Sequence, residues 1–348
     1  MRPEIVTERL ALRRGAPEDF EAIHATYSFP EVARMVATWP VPADPERTRR
    51  VCEPLPVEEG IAGPILLGDT IIGNMGVTHQ KEGIFGMGYG LHPDHWGNGY
   101  ASEMGAAVIS AVFARYPNAT AIQAGIWSDN PASGRVLEKL GFRYTHTGFG
   151  YAVGRDDVVE ARLYELTRTQ WLAANPLHLE TDRLIVRAFR SQDMRPLHQI
   201  AGQLDVARMT AAFPHPISLR ETTDWALASS YKGHAGFAAG VFLKDGPLIG
   251  LTGISPAGAS IMYAYHPDHW GQGYATEAQT AFLLWAFEWF NIDQTTADHF
   301  HDNPASARVL EKLGFEKTGA SLGKSKARLE PEPVIEYRLS RTRFESLS

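Results

Sequence analysis

His92-Pro93-Asp94-His95-Trp96-Gly97-Asn98-Gly99-Tyr100-Ala101-Ser102-Glu103 returns 174 positions later as His266-Pro267-Asp268-His269-Trp270-Gly271-Gln272-Gly273-Tyr274-Ala275-Thr276-Glu277, with 10 of 12 residues identical. In each copy a short apolar run precedes it, Ile84 to Leu91 or Ser260 to Tyr265, and a run that reads as a helix follows. A strand that feeds a glycine turn, which then opens a helix, leaves several backbone N–H groups unpaired at one point. The helix dipole adds partial positive charge there. Such a place suits an anion. Two glycines let the main chain approach a phosphate closely, and Ala101 or Ala275 keeps the first helical turn narrow. One copy alone would read better as a tight turn; a repeat this close points to function.

The stretch departs from two other phosphate cradles. A dinucleotide fingerprint needs a third small residue at the end of G-x-G-x-x-G, where Ser102 or Thr276 stands, and an acidic ribose partner about twenty positions on, which neither copy brings. A nucleotide P-loop needs Gly-Lys-Ser/Thr, and neither copy has the lysine. The pattern predicts a pyrophosphate held by backbone alone.

Working outward, 348 residues exceed one ordinary core and suit two domains, as the duplication also requires. With 44% apolar and 21% charged residues the composition is that of a soluble globular chain. The net charge of −7 divides into 16 Lys and Arg against 21 Asp and Glu in residues 1–174, and 17 against 19 in the rest. Neither half offers a basic platform for nucleic acid. The one cysteine, Cys52, falls on Ala226 in the second copy, so a duplicated cysteine nucleophile is excluded and a reducing cytoplasm is expected. No signal-peptide pattern opens the chain, and no apolar run reaches the roughly 18 residues of a membrane span.

Each copy begins with an alternating strand, Thr7 to Arg13 or Thr181 to Arg187. Helices follow through His24 and His198, then Pro45 to Val51 and Arg220 to Ser230. Trp39-Pro40-Val41-Pro42 and Phe213-Pro214-His215-Pro216 read as rigid loops whose aromatic either walls a pocket or packs in a core. Extended runs lead to the glycine stretch, at 65–67 and 70–77 in one copy, 237–243 and 248–254 in the other. Asp245-Gly246 turns the second pair. Beyond the long helix, further strands are expected at 120–127 and 294–299, and closing strands at 160–166 and 334–339. The predicted domains are 1–172 and 179–348, joined at 173–178 within the stretch Trp171 to His178.

A second block also repeats. Asp129-Asn130-Pro131-Ala132-Ser133-Gly134-Arg135-Val136-Leu137-Glu138-Lys139-Leu140-Gly141-Phe142 becomes Asp302 to Phe315, with only Gly134 changed, to Ala307. Asn-Pro marks a helix start and Gly141 or Gly314 its stop. The two ordered blocks, with the Thr-x-Arg-Leu openings and the Trp-Pro loop, resemble the Gcn5-related N-acetyltransferases. They are most similar to the branch holding the ribosomal-protein N-terminal acetyltransferases. The resemblance covers nearly all of both halves. It implies an α/β (α+β) fold of two tandem domains, each a mixed, mostly antiparallel sheet flanked by helices and splayed after the strand preceding the glycine loop. It implies acetyl-CoA as cofactor, its pantetheine arm lying in the splay. The cofactor set would then be Trp96, Gly97, Asn98, Gly99, Tyr100, Ala101, Ser102, Asn130 and Arg135, with Trp270, Gly271, Gln272, Gly273, Tyr274, Ala275, Thr276, Asn303 and Arg308 in the second copy. Asn130 and Asn303 serve pantetheine contact, helix capping, or both.

Acetyl transfer to an amine needs a neutral amine, a stabilised oxyanion and a donor to the departing thiolate. A lysine near pKa 10.4 is mostly charged at neutral pH, whereas an N-terminal amine near about 7.8 is partly neutral, so a weak base suffices for it. Many members of the family carry a tyrosine donor on the closing helix, where Leu137 and Leu310 stand here. By resemblance Ser133 and Ser306 replace it; their other reading is local backbone bonding in a first helical turn. For the base, Glu103 and Glu277 recur, but the helix start favours their ionised form and marks them as structural. The strand position where relatives often carry glutamate is Met87 or Ile261; His24 and His198 also recur. His92 and His95 form no zinc set. The resulting expectation is direct transfer to a primary amine by two cofactor-competent domains, in a monomeric pseudo-dimer or a homodimer. The competing class is a chain with one catalytic half and one half that only binds acetyl-CoA or shapes the acceptor pocket.

Overall fold

Strands that alternate apolar and polar residues bury one face, and a helix with an apolar stripe covers it. The computed structural model describes residues 4–347, the Ala257 side chain excepted, and divides into two units, Met1–Ala174 and Asn175–Ser348. In the first, eight strands form one sheet in the order Ile5–Val6, Leu10–Leu12, Gly60–Leu67, Thr70–Lys81, Ile84–Leu91, Ala121–Trp127, Asp157–Thr167, Arg143–Ala152. All pairs are antiparallel except Ile84–Leu91 with Ala121–Trp127. That parallel pairing runs only from Ile84 opposite Ala121 to Gly86 opposite Gln123, after which the strands part. In the second unit the parting is wider. A five-stranded sheet ends at Ile261–Tyr265, a three-stranded sheet begins at Gln294–Phe300, and a single bridge, Ser260 to Thr296, joins them. The mixed, mostly antiparallel, splayed sheet expected from the sequence is present in both halves.

The long helix Tyr100–Arg115 covers one face, burying Met104, Val108, Ile109 and Val112 completely against Ile61, Met75, Val77 and Phe85. Its counterpart Tyr274–Trp289 buries Phe282, Leu283, Ala286 and Phe287. Pro131–Lys139 and Pro304–Lys312 lie on the same side, anchored by Leu137 and Leu310, neither of which reaches solvent. These leucines occupy the helix position where the family often has its tyrosine, and here that position is core. The other face of the first sheet carries Phe20–Ser28 and Pro45–Cys52, with Ile23, Tyr27, Trp39 and Cys52 in their own cluster. Trp39 and Phe213 are both buried, which decides for packing over pocket walls; Trp39 stacks flat on Tyr27 with ring centroids 3.8 Å apart.

Three sequence expectations shift. Each opening strand is a hairpin, Ile5–Val6 with Leu10–Leu12 and His178–Glu180 with Leu184–Arg187, because Thr7 and Arg9, or Thr181 and Arg183, turn toward the glycine loop. The stretch Trp171 to His178 holds the end of the helix Arg168–Ala174, whose Trp171 is buried in the first core, and the start of the strand His178–Glu180, so only 175–177 connect them. The sequence does not mark the edge strands Arg143–Ala152 and Glu316–Gly323, because none of their residues but Ala152 is buried and no apolar alternation is left to read. Among the described residues no helix is long and apolar enough to cross a membrane, and no cluster of His, Cys, Asp and Glu could hold a metal.

Candidate active site

Each strand that borders a splay delivers its chain into a bend of the same shape. Trp96 Nε1 donates to the Leu91 carbonyl at 2.8 Å, and Trp270 Nε1 to the Tyr265 carbonyl at 2.8 Å, folding the loop back on the strand. Both indoles remain about half exposed. Gly97 and Gly99 sit at φ +77° and +80°, Gly271 and Gly273 at +73° and +81°, values that L side chains adopt only at a cost. A Cβ placed at Gly97 or Gly271 would meet no atom within 4 Å, so the bend is open on its outer side. Gly99 and Gly273 cap 16-residue helices without any side-chain cap. No acceptor among the described residues takes the N–H groups of Asn98, Gly99, Tyr100 and Ala101, or of Gln272, Gly273, Tyr274, Ala275 and Thr276. The Ser102 N–H turns back to the Gly99 carbonyl at 3.1 Å. Donors converging at the positive end of a helix, open to solvent, can take an anion such as a diphosphate.

The bend is held from behind. Glu103 accepts from the Thr7 hydroxyl at 2.6 Å, the Arg9 N–H at 3.0 Å and Arg9 Nε at 2.7 Å, while Arg9 Nη2 reaches the Asn98 carbonyl at 3.1 Å. Glu277, Thr181, Arg183 and the Gln272 carbonyl repeat the arrangement. Burial of each carboxylate opposes its ionisation, but the bonds from threonine and arginine outweigh that and hold both glutamates below their ordinary range. A carboxylate with these donors is an anchor, as read from its place in the helix. Arg9 and Arg183 were not singled out in the sequence, although their Thr-x-Arg setting recurs at the same 174-residue spacing.

Across the splay, Asn130 Oδ1 caps its helix by accepting from the Ser133 N–H at 3.2 Å, and Asn303 from Ser306 at 3.1 Å. The capping leaves each amide's Nδ2 without a partner among the described residues. Tyr263, on the strand entering the second bend, bonds the Ser306 hydroxyl at 2.7 Å. Tyr89 faces Ser133 in the first half, near enough for the serine to favour its ionised form although their geometry is looser than that of a formed hydrogen bond. Arg135 and Arg308 are exposed on the closing helices. Met87 and Ile261, where a glutamate base was sought, are buried. His24 and His198 bond Thr48 and Thr222 at 2.8 and 3.2 Å within the helical layer. Cys52 is buried, and burial, with Asp19 adding to it, pushes its thiol up to about 11, so it is no nucleophile.

Arg155 and Arg328, also unremarked in the sequence though they repeat at 173, strut the far side of each site. Arg155 reaches the Arg34 carbonyl at 2.9 Å and Asp129 at 2.8 Å; Arg328 reaches the Arg208 carbonyl at 2.8 Å and Asp302 at 2.7 Å. In the second half a hollow beside this strut is lined by Leu204, Arg208, Ala327, Arg328, Glu330 and Glu332. There the strand pair also carries Asp298 directly opposite Glu336, on the face away from the closing helix. Partial desolvation and then Glu336 raise the Asp298 carboxyl above its ordinary range. Leu163 and Gly125 are the corresponding cross-strand pair in the first half.

Comparison with known proteins decides the family: the acetyltransferase (GNAT) domain pattern matches residues 9–143 and again 183–316. The chain belongs to the GNAT family. It is a tandem duplication of that domain and an acetyl-CoA-dependent N-acetyltransferase by descent. Among curated relatives, an uncharacterized N-acetyltransferase YoaA of Bacillus subtilis is 33% identical over 152 residues, covering 40% of this chain and 84% of its own. An uncharacterized N-acetyltransferase p20 of Bacillus licheniformis is 26% identical over 175 residues, 48% of this chain and 97% of its own. Among solved structures, a RimL ribosomal-protein alpha-N-acetyltransferase in complex with coenzyme A aligns with a TM-score of 0.42 and 17% identity, over 48% of this chain and 98% of its own.

Proposed function

We propose that each half of this GNAT chain binds acetyl-CoA at its glycine bend and passes the acetyl group directly to a primary amine, a peptide or protein N-terminus or a small-molecule amine. The observation carrying this is the pair of open bends, equal in shape, each with a row of unpaired main-chain donors at a helix start beside parted strands. Acetyl-CoA supplies an activated thioester. The N–H groups of 98–101 and 272–276 take the diphosphate, and exposed Arg135 and Arg308 add charge nearby. Residues 87–91 and 261–265 are paired along one side only, leaving strand backbone for an amide-bearing arm, and Nδ2 of Asn130 or Asn303 adds a donor to it. Ser133 and Ser306 stand at the mouth of each splay to donate to the departing sulfur. Direct transfer is supported by the buried, unduplicated Cys52, which leaves no thiol free to carry the acetyl group in either half.

Calorimetric titration of the whole chain with acetyl-CoA should give two sites, and no binding would sink the proposal. A thiol-release assay across N-terminal peptides, lysine derivatives and polyamines then identifies the acceptor. A second reading, one catalytic half and one binding half, is favoured by the Tyr263–Ser306 bond, which is tighter than the contact of Tyr89 with Ser133. Thiol release by chains with one bend blocked separates the two readings.

A further inference from the structure

We infer that Tyr263 is a positioning residue for Ser306, fixing the serine so that its own O–H is left to donate to the sulfur of coenzyme A in the splay. This rests on the function proposed above. Tyr263 lies on the strand Ile261–Tyr265 that borders the parting of the sheets, and Ser306 lies in the first turn of the helix Pro304–Lys312 facing it. Their oxygens are 2.7 Å apart, while the Ser306 carbonyl is 3.4 Å from the same phenol. A hydroxyl has one proton and two lone pairs. When the phenol donates to Ser306 Oγ, one lone pair is taken and the serine proton must point elsewhere. The Ser306 N–H is already committed to Asn303, so the backbone that carries the hydroxyl is fixed in place.

The relative acidities decide what the pair does. Burial pushes the Tyr263 hydroxyl up to about 12, with Tyr337 adding to the effect, so it stays protonated throughout the neutral range. A thiol near pKa 8.5 is a weaker base, as its thiolate, than the phenolate left behind, by about three units. No proton therefore changes hands. The pair stabilises the thiolate by a hydrogen bond held in place, a charge-assisted contact worth more than a neutral one. In the first half Tyr89 faces Ser133 in the same places, in looser geometry.

The test needs no acceptor amine. In the full chain carrying Gly99→Val, so that only the second bend is loaded, the thiol of bound coenzyme A is titrated by the ultraviolet absorbance of its thiolate. A donor to the charged form lowers the thiol pKa, by about one unit for a single charge-assisted bond. Tyr263→Phe should return the titration toward that of free coenzyme A with the affinity changed less than about threefold. Ser306→Ala should do the same, the double substitution should add nothing, and Ser306→Thr should keep the shift. A purely structural tyrosine would lower the melting temperature and leave the thiol titration where it was. An unchanged titration in Tyr263→Phe with coenzyme A bound, or a double variant showing the sum of two shifts, overturns the inference alone. Failure of the unsubstituted chain to bind coenzyme A overturns the proposed function and this inference with it.

Discussion

The two halves agree most closely where the main chain faces the ligand and diverge where side chains do. Their bends differ by at most 4° in φ at matching glycines, and the glutamate anchors behind them use the same partners within 0.1 Å. The sheets do not match as well: one is continuous through three paired residues, the other is split but for one bridge. Asp298 and Glu336 stand where Gly125 and Leu163 stand in the first half, and the tyrosine–serine contact is tighter in the second half. A backbone cradle tolerates few sequences, because left-handed φ selects glycine at two points and every side chain added there narrows the opening. The side chains around each splay are under no such constraint, so duplication leaves them free to drift.

The largest effect tests the agreement. Valine at Gly99 or Gly273 puts a β-branched residue at φ near +80°, with Arg9 Nη2 or Arg183 Nη2 under 4 Å from the new Cβ. The strain, with displacement of the donors, should weaken acetyl-CoA binding in the substituted half by about a hundredfold. The other half should titrate as before. Calorimetry showing both sites lost to one substitution would mean the halves are not independent cradles.

A medium effect concerns the anchors, and it shows why part of the site was readable and part was not. The bend was legible because its two glycines, its tryptophan and its helix start are neighbours in sequence and the whole unit is written twice. The contacts that hold it are not local: Arg9 and Glu103 are 94 residues apart, Tyr263 and Ser306 are 43 apart, and no period or cap signature links either pair. Repetition, at 174 for Arg9, Glu103 and Tyr89 and at 173 for Ser133, was their one trace. The same physics hid the edge strand Arg143–Ala152, since exposure on both faces removes the alternation by which strands are recognised. Glu103→Gln or Glu277→Gln should cost about 1 kcal/mol at neutral pH, discounted for the partial exposure of the arginine, and loosen acetyl-CoA binding about tenfold. Both carboxylates have folded pKa values below the ordinary one, so their contribution is present above about pH 4.3 and lost as pH falls through the folded value. Denaturant unfolding of parent and variant should therefore differ at pH 7 and converge in acid, equally for the two halves. Unequal costs would show that equal geometry conceals unequal strain.

The smallest effect probes the divergence itself. Asp298 and Glu336 are like charges directly opposite on adjacent strands, and the Asp298 carboxyl sits above its ordinary range. A raised carboxyl is a stability cost that grows as pH rises past its unfolded pKa of about 3.9, because ionisation is then worked against in the fold. Glu336→Gln removes the opposing charge while keeping the strand, although it also gives up the bond that Ser321 makes to Glu336 at 2.7 Å. At neutral pH the net gain should be a few tenths of a kcal/mol, since Glu336 is the lesser cause of the raised carboxyl and the repulsion is screened where Asp298 meets solvent, and it should vanish in acid where both groups are protonated. The carboxyl resonance of Asp298 should titrate at lower pH in the variant.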